Sequence, residues 1–257
     1  MVWGIQRFIY DLLILDGLVE IYLSVMIKDI LTIVIPSKNE RDLIGMTLNL
    51  LNKQTNIIGT RVIICDSSDD LTREIISNGY YPNLKIEIID GGLPSVARNN
   101  GAKVTDTPYI LFMDSDIFLS DSETIYDSVK TIVNYNLHLV TCKFRCKGKY
   151  SFIFPTFEFF RDFFIRQSPC AIGGYMLFDK DKFDSLGGFV DEDKFAEDFH
   201  LSSKINPLFF LVVNKKVYTT DRRFRKKGLF YMLKMALLSM MNKDNPEFFK
   251  NDHNYWV

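Results

Sequence analysis

The chain has 257 residues, 47% of them apolar, enough for one large α/β domain or two small ones and unlike a disordered polypeptide. Its 31 basic and 32 acidic residues leave a net charge of −1, which excludes a general electrostatic attraction to nucleic acid and confines any anion-binding surface to a local cluster. The four cysteines, Cys65, Cys142, Cys146 and Cys170, lack the paired spacing of a zinc site and read as reduced structural thiols of a cytoplasmic protein.

Residues 1–30 read as a helical extension. Ile5, Phe8, Ile9, Leu12 and Leu13 follow a helical period, and Asp16-Gly17 suggests a break. Asp11, Asp16 and Glu20 interrupt the apolar run, and a carboxylate at mid-bilayer costs roughly 2.5 to 3.5 kcal/mol, which argues against a spanning helix. No basic start and small-residue cleavage site mark a secretory signal. The extension is expected to pack on the core or on a subunit partner, as in a homodimer, with contact to the cytoplasmic membrane surface as the alternative.

From Leu31 the pattern changes to strands alternating with helices. "LTIVIP", "RVIICD" at 61–66, "LKIEIID" at 84–90 and "YILFMDSD" at 109–116 are β-branched or apolar runs; "ERDLIGMTLNLLNKQ", "DLTREIISNG" and "SVARNNGAKV" lie between them. This alternation predicts βαβ units and an α/β fold with a mostly parallel, Rossmann-like sheet flanked by helices. Ligands of such sheets gather at the carboxyl ends of the strands. One edge should therefore carry Pro36, Ser37, Asn39 and Glu40, then Asp66, Asp90 and the triplet Asp114-Ser115-Asp116.

Carboxylates crowded on one edge repel unless a cation or donors compensate them. A hard divalent ion, Mn²⁺ or Mg²⁺, favours carboxylate oxygens and is commonly held by one or two of them together with substrate phosphates. Alone, the triplet is equally compatible with a solvated cap before Ser120-Asp121. No GxxxxGK[ST] or GxGxxG follows the first strand, so phosphate binding of those kinds is not indicated.

Taken in order, "TIVIPSKNE", "VIICDSSDD", "GLPSVARNNGA", "YILFMDSDIFL", "GGYMLFDKDKFDSLGGFVDE" and "AEDFHL" resemble glycosyltransferase family 2 over about residues 31–228. The resemblance implies the GT-A fold and an inverting transferase that uses a nucleotide-sugar donor, UDP-sugar favoured, and a glycan or lipid-linked acceptor. It divides the chain into the extension at 1–30, a transferase domain at 31–228 with a nucleotide half (31–120) and an acceptor half (121–228), and an apolar helical segment at 229–257. It implies that Pro36, Ser37, Asn39 and Glu40 touch the nucleotide, although Lys38 stands where an aromatic is common. Asp66 would bond the base and Arg98 would approach the nucleotide, with Asn99 and Gly101 completing its turn. Asp114 would contact ribose or metal, beside Ser115, and Asp116 would ligate the metal. The general base would be Asp198, with Glu197 beside it; amides and the dipole of a helix beginning near Glu197 should keep these carboxylates ionised. His200, two residues on, is a candidate third metal ligand or diphosphate contact.

In "YTTDRRFRKKG" (218–228), a basic loop, Arg222, Arg223 or Arg225 is expected to reach the diphosphate bidentately; a solvated loop is the alternative. "YSFIFPTFEFFRDFFI" and "GLFYMLKMALLSMM" are apolar, and the second, roughly 20 Å long as a helix, is too short for a bilayer core. Both read as core or subunit-contact elements, or as a peripheral membrane contact. A nucleotidyltransferase would need a glycine-rich loop that "PSKNERD" lacks, and a non-catalytic nucleotide-sugar-binding module would not be expected to keep both acidic motifs.

Overall fold

The structure of the protein, a computed structural model, describes residues 27–164 and 169–255. The expected N-terminal extension lies outside them apart from residues 27–30, which are helical and bury Ile27 and Ile30. The alternation continues as β1 (Leu31–Ser37), α1 (Ile44–Leu51), β2 (Thr60–Asp66), α2 (Thr72–Asn78), β3 (Leu84–Asp90), α3 (Pro94–Lys103) and β4 (Tyr109–Met113). After these come α4 (Thr124–Asn134), β5 (Leu139–Cys146), α5 (Ile153–Phe164), β6 (Tyr175–Asp179), α6 (Lys180–Ser185) and α7 (Glu197–Ser202). The chain then adds β7 (Phe210–Thr219), α8 (Arg222–Lys227), α9 (Leu229–Met241) and α10 (Pro246–Lys250).

The described strands form a seven-stranded sheet in the order β3-β2-β1-β4-β6-β5-β7. β1 to β4 are mutually parallel, β6 is antiparallel to both β4 and β5, and β7 runs parallel to β5. The fold is thus the expected mostly parallel α/β sheet flanked by helices. Both faces of its centre are buried, as parallel sheets require. Ile33 and Ile35 of β1 pack with Ile44 and Leu48 of α1 on one face, while Val34 packs with Ala97 and Ala102 of α3 on the other. Gly101 allows that second contact, because a Cβ there would lie 2.4 Å from Val34 Cγ1.

Two local expectations are corrected. The strand expected to run to Asp116 ends at Met113; the Asp114 amide turns to the Gly174 carbonyl and Ile117 closes a turn back onto Asp114. The stretch expected as a basic loop contains α8, anchored where the Arg225 amide bonds the Asp221 carbonyl.

Candidate active site

Register alone assembles the strand-end edge. Ser37 stands opposite Asp66, and Asp66 opposite Asp90, at the carboxyl ends of three parallel strands. The buried Asp66 carboxylate accepts from the Ser68 amide (3.2 Å), the Ser68 hydroxyl (2.7 Å) and Arg73 Nε (2.9 Å). Arg73, on the first turn of α2, also reaches Asp90 at 3.2 Å. Asn39 adopts a left-handed backbone (φ 57°), which a short polar side chain tolerates. Its amide donates to Ser68 Oγ (2.7 Å), its side-chain oxygen accepts from the Asp69 amide (3.1 Å), and the turn after β1 is thereby clamped to the turn after β2. Pro36 is half-buried beside this turn, and the buried Ser37 hydroxyl has no hydrogen-bond partner among the described residues.

The two carboxylates beyond β4 take different arginines. Arg98, 2% exposed on α3, donates to Asp114 Oδ1 (2.7 Å) and to Glu197 Oε1 (2.6 Å), tying the end of β4 to the start of α7. Burial works against the guanidinium charge, but Asp114 and Glu197 hold its pKa above the usual value. Asp116 turns the other way. Its Oδ2 accepts from the Thr220 hydroxyl (3.1 Å) and lies 3.3 Å from Arg222 Nη2, while Arg222 also forks onto Glu40 with Nη1 at 2.9 Å from Oε2. Between them Ser115 is buried, its carbonyl accepting from Thr47 Oγ1 at 2.7 Å. Burial first, and Asp114 second, push the Asp116 carboxyl above its ordinary range in spite of Arg222. Burial likewise raises Glu40 against its pairing with Arg222.

Asp198 is reached through a strained corner. Ala196 has φ 48°, a left-handed conformation uncommon for a residue with a Cβ, and it turns the chain into α7 so that Glu197 and Asp198 enter together. Asp198 Oδ2 accepts from the Gly173 amide (2.6 Å) and Oδ1 from the Phe199 amide (2.7 Å). Burial, then the neighbouring Glu197, push this carboxyl up to about 6, against the Gly173 amide, Arg98 and the Phe199 amide. The amides expected to keep this carboxylate ionised do favour the anion, but burial and Glu197 outweigh them and leave it more basic than an ordinary aspartate. Gly173 sits at the junction of the cluster: a Cβ there would lie 2.7 Å from Arg98 Nη2 and 3.2 Å from Asp198 Oδ2.

The family profile "Glycosyl transferase family 2" matches residues 32–187. The chain belongs to glycosyl transferase family 2. Over 96 residues it is 36% identical to the poly(ribitol-phosphate) beta-glucosyltransferase of Bacillus spizizenii, a match covering 35% of this chain and 15% of that protein. Similar solved folds include Staphylococcus aureus TarS 1-349 with UDP-GlcNAc, at TM-score 0.55 and 21% identity, covering 74% of this chain and 58% of that one. Another is the Pyrobaculum calidifontis mannosyltransferase PcManGT with GDP-Man and Mn²⁺, at TM-score 0.59 and 17% identity, covering 95% and 75%.

The chain spans under a quarter of the length of the curated relatives it matches. In this family 2 member some candidates take other partners. His200 Nδ1 lies 2.5 Å from Asp193 Oδ2, and its ring stacks on Phe249 with centroids 4.4 Å apart. Among the described residues no group of three or more His, Cys, Asp or Glu side chains is gathered for a metal. Arg225 pairs with Asp221 at 2.5 Å and is exposed. Other residues that were not singled out from the sequence join the cluster. Arg73, Gly173 and Thr220 are three; Tyr255 is a fourth, its hydroxyl accepting from Arg223 Nη1 (2.5 Å) while the guanidinium lies 4.6 Å over its ring. Burial pushes the Tyr255 hydroxyl up to about 12, with Arg223 opposing and the nearby Asp198 and Glu197 adding to the shift. Only Arg73, seven residues beyond Asp66 at the start of a helix returning over the strand end, could have been anticipated from spacing.

Proposed function

We propose that this glycosyltransferase is a metal-dependent inverting enzyme that moves a sugar from a nucleoside-diphosphate sugar, UDP-sugar favoured, to a hydroxyl of a glycan or lipid-linked acceptor. The observation that carries the reading is Arg98, which bridges Asp114 on the donor side to Glu197 on the base side, so that Asp198 stands beside the strand-end carboxylates. The solved relatives with UDP-GlcNAc and with GDP-Man and Mn²⁺ support the donor class and the cation.

Asp198 takes the proton of the acceptor hydroxyl as that oxygen attacks the anomeric carbon; the bond from this carbon to the diphosphate oxygen breaks, and the electron pair leaves with the diphosphate. One displacement inverts the anomeric centre. A carboxyl pushed up to about 6 is ionised at neutral pH and more basic than an ordinary aspartate, which suits a general base. In this reading Asp66, with Arg73 beside it, meets the base of the nucleotide, the 36–40 turn touches the nucleotide and Asp114 its ribose, while Arg222, and Arg223 held by Tyr255, meet the diphosphate. Asp116 and Asp114 fit a divalent cation: burial and mutual repulsion disfavour the Asp116 anion as it stands, and carboxylate oxygens are the donors Mn²⁺ and Mg²⁺ prefer. Such a cation, when bound, neutralises the charge of the leaving diphosphate.

A thermal-shift panel of nucleoside diphosphates with Mn²⁺, Mg²⁺ or chelator tests the reading. Ligand at a hundred times its Kd adds about 2.7 kcal/mol, or roughly 5 to 10 °C for a domain of this size. Stabilisation by one nucleoside diphosphate with metal is expected; no shift across the panel would overturn the assignment.

A further inference from the structure

We infer that the outer face of α9, with the basic residues around it, docks this enzyme on an anionic phospholipid bilayer and so presents the site to a membrane-borne acceptor. This deepens the transferase reading and rests on it for the acceptor alone. α9 buries Met235 and Ser239 and turns Phe230, Leu233, Leu237, Met240 and Met241 outward. Phe230 is 84% exposed and Met241 73%. Single apolar side chains on a surface need no explanation. These five differ because spacings of three, four and seven place them in one stripe of a 13-residue helix. At roughly 20 Å that helix is too short to span a bilayer and has the proportions of one lying in the interface. Among the described residues no helix is long and apolar enough to cross a membrane.

Charge argues for lipid rather than a second copy of the chain. From Arg222 to Lys243 there are seven basic residues and no acidic one, in a protein of net charge −1; Arg222, Arg223 and Arg225 are engaged by Glu40, Tyr255 and Asp221, and the docking charge falls to the lysines. Lys234, one turn from Phe230, and Lys226 and Lys243 at the two ends of α9 are exposed. A self-complementary contact would bring this like-charged surface against itself, whereas an anionic headgroup layer compensates it. The stripe is also continuous with the site. α8, which leads into α9 through Gly228, carries the Arg222 that pairs with Glu40 and lies near Asp116. Phe224 on α8 lies 5.8 Å, ring to ring, from Tyr150 and from Phe154, which flank the exposed Phe152.

The test is flotation of the full chain with vesicles of phosphatidylglycerol and phosphatidylcholine, against phosphatidylcholine alone, at low and high salt. The native chain should float with the anionic vesicles and lose most of that binding at high salt. Phe230→Glu with Leu237→Glu should lower the bound fraction about tenfold or more at an unchanged melting temperature. Lys226→Glu with Lys234→Glu should weaken binding to anionic vesicles and flatten its salt dependence. Absence of flotation on anionic vesicles, or unchanged flotation of the Phe230/Leu237 variant, overturns the proposal. So does light scattering that shows a dimer dissociated by the same two substitutions, since a second copy would then cover the face. Nucleoside diphosphate stabilisation, measured on the same samples, separates failure of docking from failure of the transferase reading.

Discussion

Asp198 offers the sharpest test, because two effects raise its pKa and one of them can be removed alone. Burial and Glu197 push its carboxyl up to about 6, and the base must be ionised to accept a proton, so activity should rise with pH through that value. A single group of that pKa is about 90% ionised at pH 7 and about 10% at pH 5, so kcat/KM should fall roughly tenfold between them. Asp198→Asn should remove the limb and lower the plateau by roughly 10² to 10⁴, the usual contribution of a general base. Glu197→Gln deletes the neighbouring negative charge and leaves Arg98 in place, so the limb of that variant should move to lower pH. The assay is release of nucleoside diphosphate from the donor across the acid range, with nucleotide binding measured in parallel. A limb that stays in place or moves upward in Glu197→Gln would refute the electrostatic account. Equal loss of nucleotide binding and turnover in Asp198→Asn would refute its role as base.

Asp116→Ala should weaken nucleoside diphosphate binding about tenfold or more with Mn²⁺ or Mg²⁺ and leave it unchanged in chelator, as calorimetry would show; equal loss in both would argue against metal ligation. Tyr255→Phe removes the hydroxyl that accepts from Arg223 and keeps the ring beneath it, so donor KM should rise by roughly fivefold, the equivalent of about 1 kcal/mol, with kcat little changed. Gly173→Ala would set a methyl 2.7 Å from Arg98 Nη2, and the displaced guanidinium should cost about 1 to 3 kcal/mol of stability together with most of the activity; a variant melting and turning over like the native protein would contradict that packing.

What the sequence made legible follows from how local each signal is. β1 to β4 were readable because apolar, mostly β-branched runs between helical patterns carry their own period, and the rule that ligands gather at strand ends then selected Ser37, Asp66 and Asp114 without reference to distant residues. β5 alternates basic and apolar residues at Lys143, Phe144 and Arg145, and the five-residue β6 runs against its neighbours, so neither resembles a buried parallel strand. The pairing of Glu40 with Arg222 joins residues 182 positions apart, Gly173 reaches Asp198 across 25 positions through its backbone amide, and Tyr255 reaches Arg223 from a segment with no chemical motif of its own. The state of Asp198 shows the same limit in energetic terms. The sequence places it in the first turn of a helix, where amides and dipole favour the anion. That helix has six residues, however, and its amides compete with a charge removed from water and a second carboxylate one residue away. Desolvation of an ion outweighs two hydrogen bonds here, and the environment that sets the balance includes Arg98 and Gly173 from distant parts of the chain, which local sequence does not encode.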